Sequence, residues 1–268
     1  MNPKNRVDYR VNEGIAFVQL NRPDKHNALD MPMFYALKAV IKTISRDKNV
    51  RVVIVSGKGE SFCSGLDVKS VMHNRLDALK LLWKWTPGQA NLAQQVVVGW
   101  RRLKVPVIMQ LHGKCWGGGM QLALGGDFRI ADTKTSLAIM ESRWGLIPDM
   151  GGTIALRELA SIDIIKELAM TARIFKGNEA KQLGLVTHVY DDPMAEAIQF
   201  AEEIKKRSPD AIANTKLLFN KTWLSTIRQA LNWETKLQKR LIGRYNQRAA
   251  ISQGTAKKDQ AKPFKQRA

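Results

Sequence analysis

The sequence predicts an α/β fold, and three observations carry that reading. Residues 51–56 read RVVIVS, a continuous β-branched run of the kind buried on both faces of a parallel sheet. Residues 105–111 repeat that pattern, then pass through Gly113 and Gly117-Gly118-Gly119 into an apolar helical stretch, 120–124. Ahead of RVVIVS, Met33, Phe34, Leu37, Val40, Ile41 and Ile44 recur at helical spacing, so strand, helix and strand alternate.

The individual elements follow in chain order. Residues 7–20 read as two short strands around the turn Asn12-Glu13-Gly14, with Ile15, Phe17 and Val18 favouring extended backbone. After Asn21-Arg22-Pro23 a polar loop leads to Asp30, an N-cap for an amphipathic helix over 31–45. The strand 51–56 stops at Gly57 and Gly59, and a second buried strand covers 105–111. Short strands are expected near 128–131, 137–140 and 186–190, separated by helical segments. From Asp192 onward helices dominate: one marked by Met194, Ala197, Ile198, Ala201 and Ile204, one over 211–219 and one over 227–241. Residues 249–268 have few apolar side chains and read as a low-order basic tail.

Composition narrows the class. With 268 residues, 44% hydrophobic and 25% charged, the chain has ample length for a core, and wholesale disorder or a fibrous repeat is excluded. No apolar run approaches the ~18 residues of a membrane span, and Met1-Asn2-Pro3-Lys4 leads into no signal-like apolar segment, so a soluble cytoplasmic protein is expected. Cys63 and Cys115 lie in neither a CxxC pair nor a metal-type cluster and read as buried small hydrophobes. The net charge of +19 is concentrated at the end, where residues 225–268 hold eleven bases and two acids. Such a field draws anionic partners, and a solvated basic surface accounts for it equally well.

Two glycine-marked turns follow the buried strands: Ser61-Phe62-Cys63-Ser64-Gly65-Leu66-Asp67-Val68-Lys69 and Gly113-Lys114-Cys115-Trp116-Gly117-Gly118-Gly119-Met120-Gln121. Glycines let a ligand approach the backbone, and the first N–H groups of a helix have no internal acceptor. Lying side by side, the two turns could aim one N–H each at a single carbonyl oxygen, an oxyanion hole; taken singly, each turn is equally read as a tight strand-to-helix connection. Neither turn supplies GxGxxG, no Walker loop is present, and no Gly-x-Ser-x-Gly elbow marks a serine hydrolase. His26, His73, His112 and His188 stand too far apart for a metal site. A third constellation, 140–153, sets Glu141 beside Trp144, Leu146 and Ile147, whose bulk would desolvate it and raise its pKa toward that of a working base. Asp149, ahead of Met150-Gly151-Gly152-Thr153, reads either as a catalytic acid or as a helix N-cap.

Together these segments resemble the crotonase superfamily, the enoyl-CoA hydratase and isomerase group. The likeness is carried by Asn21-Arg22-Pro23 with Asn27-Ala28-Leu29, by Phe62 to Lys69, by Gly117 to Leu124, by Gly126-Asp127-Phe128-Arg129-Ile130-Ala131, by Gly145 to Gly152 and by Ala180 to Val186, in that order. The resemblance implies a spiral of ββα units with two near-perpendicular sheets and a helical C-terminal region. It implies trimers that often pair into hexamers, and an acyl-CoA thioester as substrate with no further cofactor and no metal. On that basis residues 1–195 form the spiral core, 196–248 the helical trimerisation region and 249–268 the basic tail. The oxyanion N–H groups fall on Leu66 and Gly118, the border of the CoA moiety on Lys25, Asp67 and Lys69, and the wall of the acyl pocket on 71–100, where Leu76, Leu79, Leu82, Trp83, Trp85 and Trp100 supply bulk.

Departures from the family pattern select the reaction. Hydratases of the group present two glutamates; the second matches Glu141, and the first falls on Gln121. An amide can orient a water but cannot shuttle its proton. Moving a double bond needs one base, and dienoyl-CoA isomerases pair the matching glutamate with an aspartate eight residues on, here Asp149. The expected function is therefore isomerisation of an enoyl- or dienoyl-CoA with Glu141 as base. The alternative is a 2-enoyl-CoA hydratase of fatty-acid β-oxidation. An RNA-binding protein on the same scaffold is an alternative of another class, against which the basic end lacks interleaved aromatics, so nucleic acid is not the expected partner.

Overall fold

The computed structural model describes residues 6–72, 75–84, 86, 88–255 and 262–268. Among them, β1 (Val7–Asn12), β2 (Ile15–Leu20), β3 (Val52–Gly57), β4 (Val107–Leu111), β6 (Phe128–Ala131) and β9 (His188–Val189) form one sheet in the order β1-β2-β3-β4-β6-β9. β5 (Lys114–Trp116), β7 (Ser136–Ala138) and β8 (Phe175–Lys176) form a second sheet in the order β5-β7-β8. The large sheet is parallel except for the β1–β2 hairpin. That hairpin closes through Glu13 and Gly14, both at positive φ (46° and 81°), as a two-residue turn of matching twist requires.

The RVVIVS run is explained by position. β3 lies between β2 and β4, and both of its faces are covered. Val53 and Val55 enter the main core with Phe34, Leu37 and Met109. Val52 and Ile54 face a second cluster with Ile15, Ile108 and Ile130, closed by Ala197 and Ala201 of the helix Pro193–Lys205. A strand with apolar neighbours on both sides has no reason to alternate.

The helix Met31–Arg46 starts as expected: the Asp30 carboxylate accepts from Met33 N at 2.9 Å, and Met33, Phe34, Leu37 and Ile44 are fully buried. Asp30 also pairs with Arg6 at 2.8 Å and Arg22 at 3.5 Å. The helix Pro209–Thr222 is fastened by Lys216, whose Nζ donates to Trp100 O (3.1 Å), Val105 O (2.9 Å) and Asp127 (2.6 Å). Burial lowers the Lys216 pKa, and the Asp127 carboxylate opposes that fall. Cys63 and Cys115 are free and buried; burial pushes the Cys63 thiol up to about 12 and the Cys115 thiol up as well, so both behave as small apolar groups.

Three expectations change. The chain end is ordered where it is described: the helix Tyr245–Thr255 runs through position 249, and residues 262–268 dock on the turn before β3. There Arg267 donates to Val50 O (2.5 Å) and Asp47 O (2.6 Å), and Gln266 to Asn49 Oδ1 (2.6 Å). Polar side chains that satisfy backbone carbonyls leave no trace in apolar content, which is why composition suggested low order. Lys257 and Lys258 lie outside the described residues. In 71–100, Trp100 is fully buried in the main core rather than in a pocket wall, while Leu76, Leu79, Leu82 and Trp83 are 57–63% exposed; Trp85 lies outside the described residues. β5 and β8 were not foreseen, being too short to show a period.

Candidate active site

The two glycine turns are held against each other by backbone pairing. Cys63 bridges Cys115 of β5, with Cys63 N donating to Lys114 O (2.9 Å) and Trp116 N to Cys63 O (3.0 Å). Leu66 bridges Leu29, with Leu29 N donating to Gly65 O (2.8 Å) and Asp67 N to Leu29 O (3.0 Å). Gly65, at φ +99°, has no room for a side chain: a Cβ there would lie 2.8 Å from Trp116 O and 3.3 Å from Gly118 N. A Cβ on Gly118 would lie 3.4 Å from Leu66 N. The Leu66 and Gly118 amides are thus neighbours, and neither N–H donates a hydrogen bond among the described residues. Gly118 is the first residue of the helix Gly118–Leu124, where the N–H has no internal acceptor.

Glu141 opens a short 3₁₀ helix, Glu141–Trp144, soon after β7, and its carboxylate lies along Gly117. Oε1 accepts from Gln121 Nε2 at 2.6 Å, while Oε2 is buried without a hydrogen-bond partner. Burial raises the Glu141 pKa and the nearby Asp149 charge adds to the rise; the Gln121 hydrogen bond opposes it. The desolvation expected for Glu141 is present, and its source is different. Trp144, Leu146 and Ile147 are 63%, 51% and 74% exposed, whereas Gly117 and Gln121 lie against the carboxylate.

Gln121 lies one helical turn after Gly117 and is buried. Its Oε1 accepts from Met150 N (2.9 Å) and Gly152 N (3.3 Å). The helix Gly152–Leu159 therefore has its first donor satisfied from a distant side chain. Its N-cap is Gly151, at φ +95°, and Asp149 is exposed and does not cap it. The capping alternative for Asp149 is thereby set aside.

Asp67 is committed locally: it pairs with Arg22 at 2.8 Å and accepts from Ser70 N at 3.1 Å. Burial opposes ionisation, but the Ser70 N–H and the Arg22 guanidinium prevail and hold its pKa low. Lys25 is exposed at the end of the 3₁₀ helix Pro23–Lys25, close enough to act on Asp67, and Lys69 is exposed on the helix Val68–Met72. Sequence reasoning missed the organising role of Asn27, which sits at φ +55°, accepts from Arg22 N (2.8 Å) and donates to Lys58 O (3.0 Å) and Ser61 O (2.7 Å). It also missed the pairing of Gln121 with turn 150–152. A cleft of about 1180 Å³ lies elsewhere, bordered by Arg102, Lys104, Arg240, Arg244 and Lys265; it accounts for part of the positive charge and includes none of Leu66, Gly118, Gln121 and Glu141.

The family model for enoyl-CoA hydratase/isomerase matches residues 10–266. The chain is 33% identical over 243 residues to a putative enoyl-CoA hydratase/isomerase, YngF, of Bacillus subtilis, covering 90% of this chain and 91% of that one. It is 31% identical over 212 residues to the mitochondrial Delta(3,5)-Delta(2,4)-dienoyl-CoA isomerase of Mus musculus, covering 76% of this chain and 64% of that one. Among solved structures, an enoyl-CoA hydratase from Bacillus anthracis superposes with a TM-score of 0.88 at 26% identity, covering 97% and 99% of the two chains. A putative enoyl-CoA hydratase from Thermobifida fusca, in complex with CoA, superposes with a TM-score of 0.78 at 26% identity over 88% and 92%. With its two-sheet α/β fold, its paired glycine turns and this agreement over nearly its whole length, the chain belongs to the enoyl-CoA hydratase/isomerase family of the crotonase superfamily.

Proposed function

We propose that the protein moves a C=C bond of an enoyl- or dienoyl-CoA, with Glu141 as base and the Leu66 and Gly118 N–H groups as the oxyanion hole. One observation carries this reading: the half-buried Glu141 carboxylate, with Oε2 buried and unpartnered, lies along Gly117, where two neighbouring glycine turns each present one undonated N–H group. For a 3-enoyl thioester, Glu141 Oε2 takes a proton from C2, and the electron pair moves onto the thioester oxygen between the two N–H donors. The resulting dienolate takes the proton back at C4, restoring C=O and leaving the double bond between C2 and C3. No water and no redox partner enters the balance, so the CoA thioester is the only non-protein component the step requires. Hydration would need a second group to pass a proton, and Gln121 cannot do so.

Asp149, whose charge reaches Glu141, supports a dienoyl-CoA as the substrate, since a second carboxylate could protonate a more distant carbon. Lys25 and Lys69, exposed beside the first glycine turn, would meet the phosphates of CoA. The apolar side chains Phe219, Trp223, Leu224, Ile227 and Leu231 in and between the C-terminal helices are 55–81% exposed, which supports assembly into a trimer or hexamer through that region. The test is a 3-enoyl-CoA deuterated at C2, followed by growth of the conjugated thioester absorbance and by the label at C4. Conversion with label carried to C4 is expected; conversion of a 2-enoyl-CoA to its hydroxyacyl product at a comparable rate would replace this reading by the hydratase one.

A further inference from the structure

The base is held by only one of its oxygens, and the group holding it cannot turn around. Gln121 Oε1 lies between two N–H donors, Met150 N and Gly152 N, while Nε2 faces the Glu141 Oε1 acceptor at 2.6 Å. Flipping the amide would set its NH₂ against two donors and its oxygen against a carboxylate, losing all three bonds. The fit is also tight: a Cβ on Gly152 would lie 3.0 Å from Gln121 Cγ and 3.1 Å from Oε1. A glutamate in this place would keep the two accepted bonds and put a carboxylate oxygen against Glu141 Oε1, where the pair would have to share a proton.

From this geometry we infer that Gln121 is a positioning residue: it fixes the Glu141 carboxylate through Oε1, leaves Oε2 as its single proton-carrying atom, and locks that orientation to turn 150–152. The inference rests on Glu141 being the base. Its physical effect is to favour the ionised carboxylate in a site whose burial disfavours it. Of the charges near Glu141, that of Asp149 acts on it, and Arg143 stands on the same short helix. The helix Ile162–Thr171, packed on the short helix Glu141–Trp144, meets it through Ser142 Oγ on Met170 O (3.4 Å) and carries the charged side chains Asp163, Lys166 and Glu167. An amide with permanent donor character stands where a carboxylate would gain and lose a proton, so the Gln121–Glu141 pair keeps one titrating proton where two carboxylates would keep two.

The experiment reads the carboxylate without a substrate. The full-length protein is labelled with ¹³C at the glutamate side-chain carboxyls and titrated by NMR, with Glu141→Gln assigning the resonance. In the wild type, Glu141 should titrate in one step. In Gln121→Met, which keeps the bulk and removes the donor, the midpoint should move to higher pH, and the acid limb of kcat/KM on a 3-enoyl-CoA should move with it while KM stays. In Gln121→Glu, which keeps the two accepted bonds and so preserves the turn, Glu141 should titrate in two coupled steps. A Glu141 midpoint unchanged in folded Gln121→Met, or a single unshifted step in Gln121→Glu, overturns the inference. Full isomerase activity in Glu141→Gln would instead remove the base assignment, and the substrate-free titration tells the two failures apart.

Discussion

The helices Gly118–Leu124 and Gly152–Leu159 both begin on glycine with no side-chain cap of their own, the first next to Gly117, along which Glu141 lies, and the second against Gln121. At the first, the Gly118 N–H has no acceptor among the described residues and neighbours the equally undonated Leu66 N–H. At the second, Gln121 Oε1 takes the Gly152 N–H and the Met150 N–H ahead of it. One helix start leaves its N–H open, and the other is closed by the amide that contacts Glu141; on the proposed function, the first awaits an incoming oxygen and the second holds the base. The lesson is that a glycine-marked helix N-terminus is not in itself a binding site; what decides is whether the protein already supplies the acceptor.

The comparison breaks most sharply at the base itself. Glu141→Gln keeps the shape and the Gln121 contact but removes the proton acceptor, and turnover should fall by about 10² to 10⁴ while CoA binding persists. Steady-state rates with a CoA-binding titration check it, and wild-type turnover would remove Glu141 from its role. Next comes the open helix start. Gly118→Pro deletes the N–H at the first helical position, which proline tolerates conformationally. Gly118→Ala adds the Cβ that proline also adds and keeps the N–H. The proline variant should be slower than wild type by about 10² to 10³, and well below the alanine variant at equal circular dichroism. Equal rates in the two would show that bulk, not the donor, matters there.

How far the sequence foretold this site depends on the length of each contact in the chain. Local signals were legible: the RVVIVS strand, the Asp30 cap three residues before Met33 N, the Glu13-Gly14 turn and the paired glycine turns all declare themselves within a few residues. The desolvation of Glu141 was expected for a partly wrong reason, because apolar neighbours in sequence (Trp144, Leu146, Ile147) project into solvent while distant Gly117 and Gln121 cover the carboxylate. Asp149 looked like a cap because it precedes a helix; the cap is supplied from 29 residues earlier by Gln121. Such a contact has no local pattern. The same holds for Arg267, which reaches back 217 residues to Val50 O.

The closed helix start can be loosened without touching either functional group. In Gly152→Ala the new methyl would press on Gln121 Cγ and Oε1 at 3.0 and 3.1 Å, so the amide must shift by a few tenths of an ångström. Because a misplacement of ~1 Å costs on the order of 10² in rate, a drop in kcat of about tenfold is expected, with KM nearly unchanged. An unaltered kcat would mean that turn 150–152 does not transmit position to the base.

The smallest effects concern stability, where Glu141 and Asp67 should behave oppositely. The folded pKa of Glu141 is raised, chiefly by burial, so its contribution to stability is full below the unfolded value and is lost as pH rises through the folded one. The Asp67 pKa is lowered, against burial, by the Ser70 N–H and Arg22, so its contribution is present above the unfolded value and is lost as pH falls through the folded one. Glu141→Gln should therefore make the protein more resistant to urea at neutral pH, with the gain shrinking as pH drops toward the usual carboxylate range of about 4. Asp67→Asn should weaken it at neutral pH, with the loss shrinking in stronger acid as the wild-type carboxylate takes up its proton. Neither change should much exceed the ~1 kcal/mol of an average point mutant. Urea unfolding across a pH series measures both. A stabilised Glu141→Gln would identify the buried carboxylate as a group kept for chemistry at a cost in stability, whereas a destabilised one would show that its bond to Gln121 outweighs the burial of its charge.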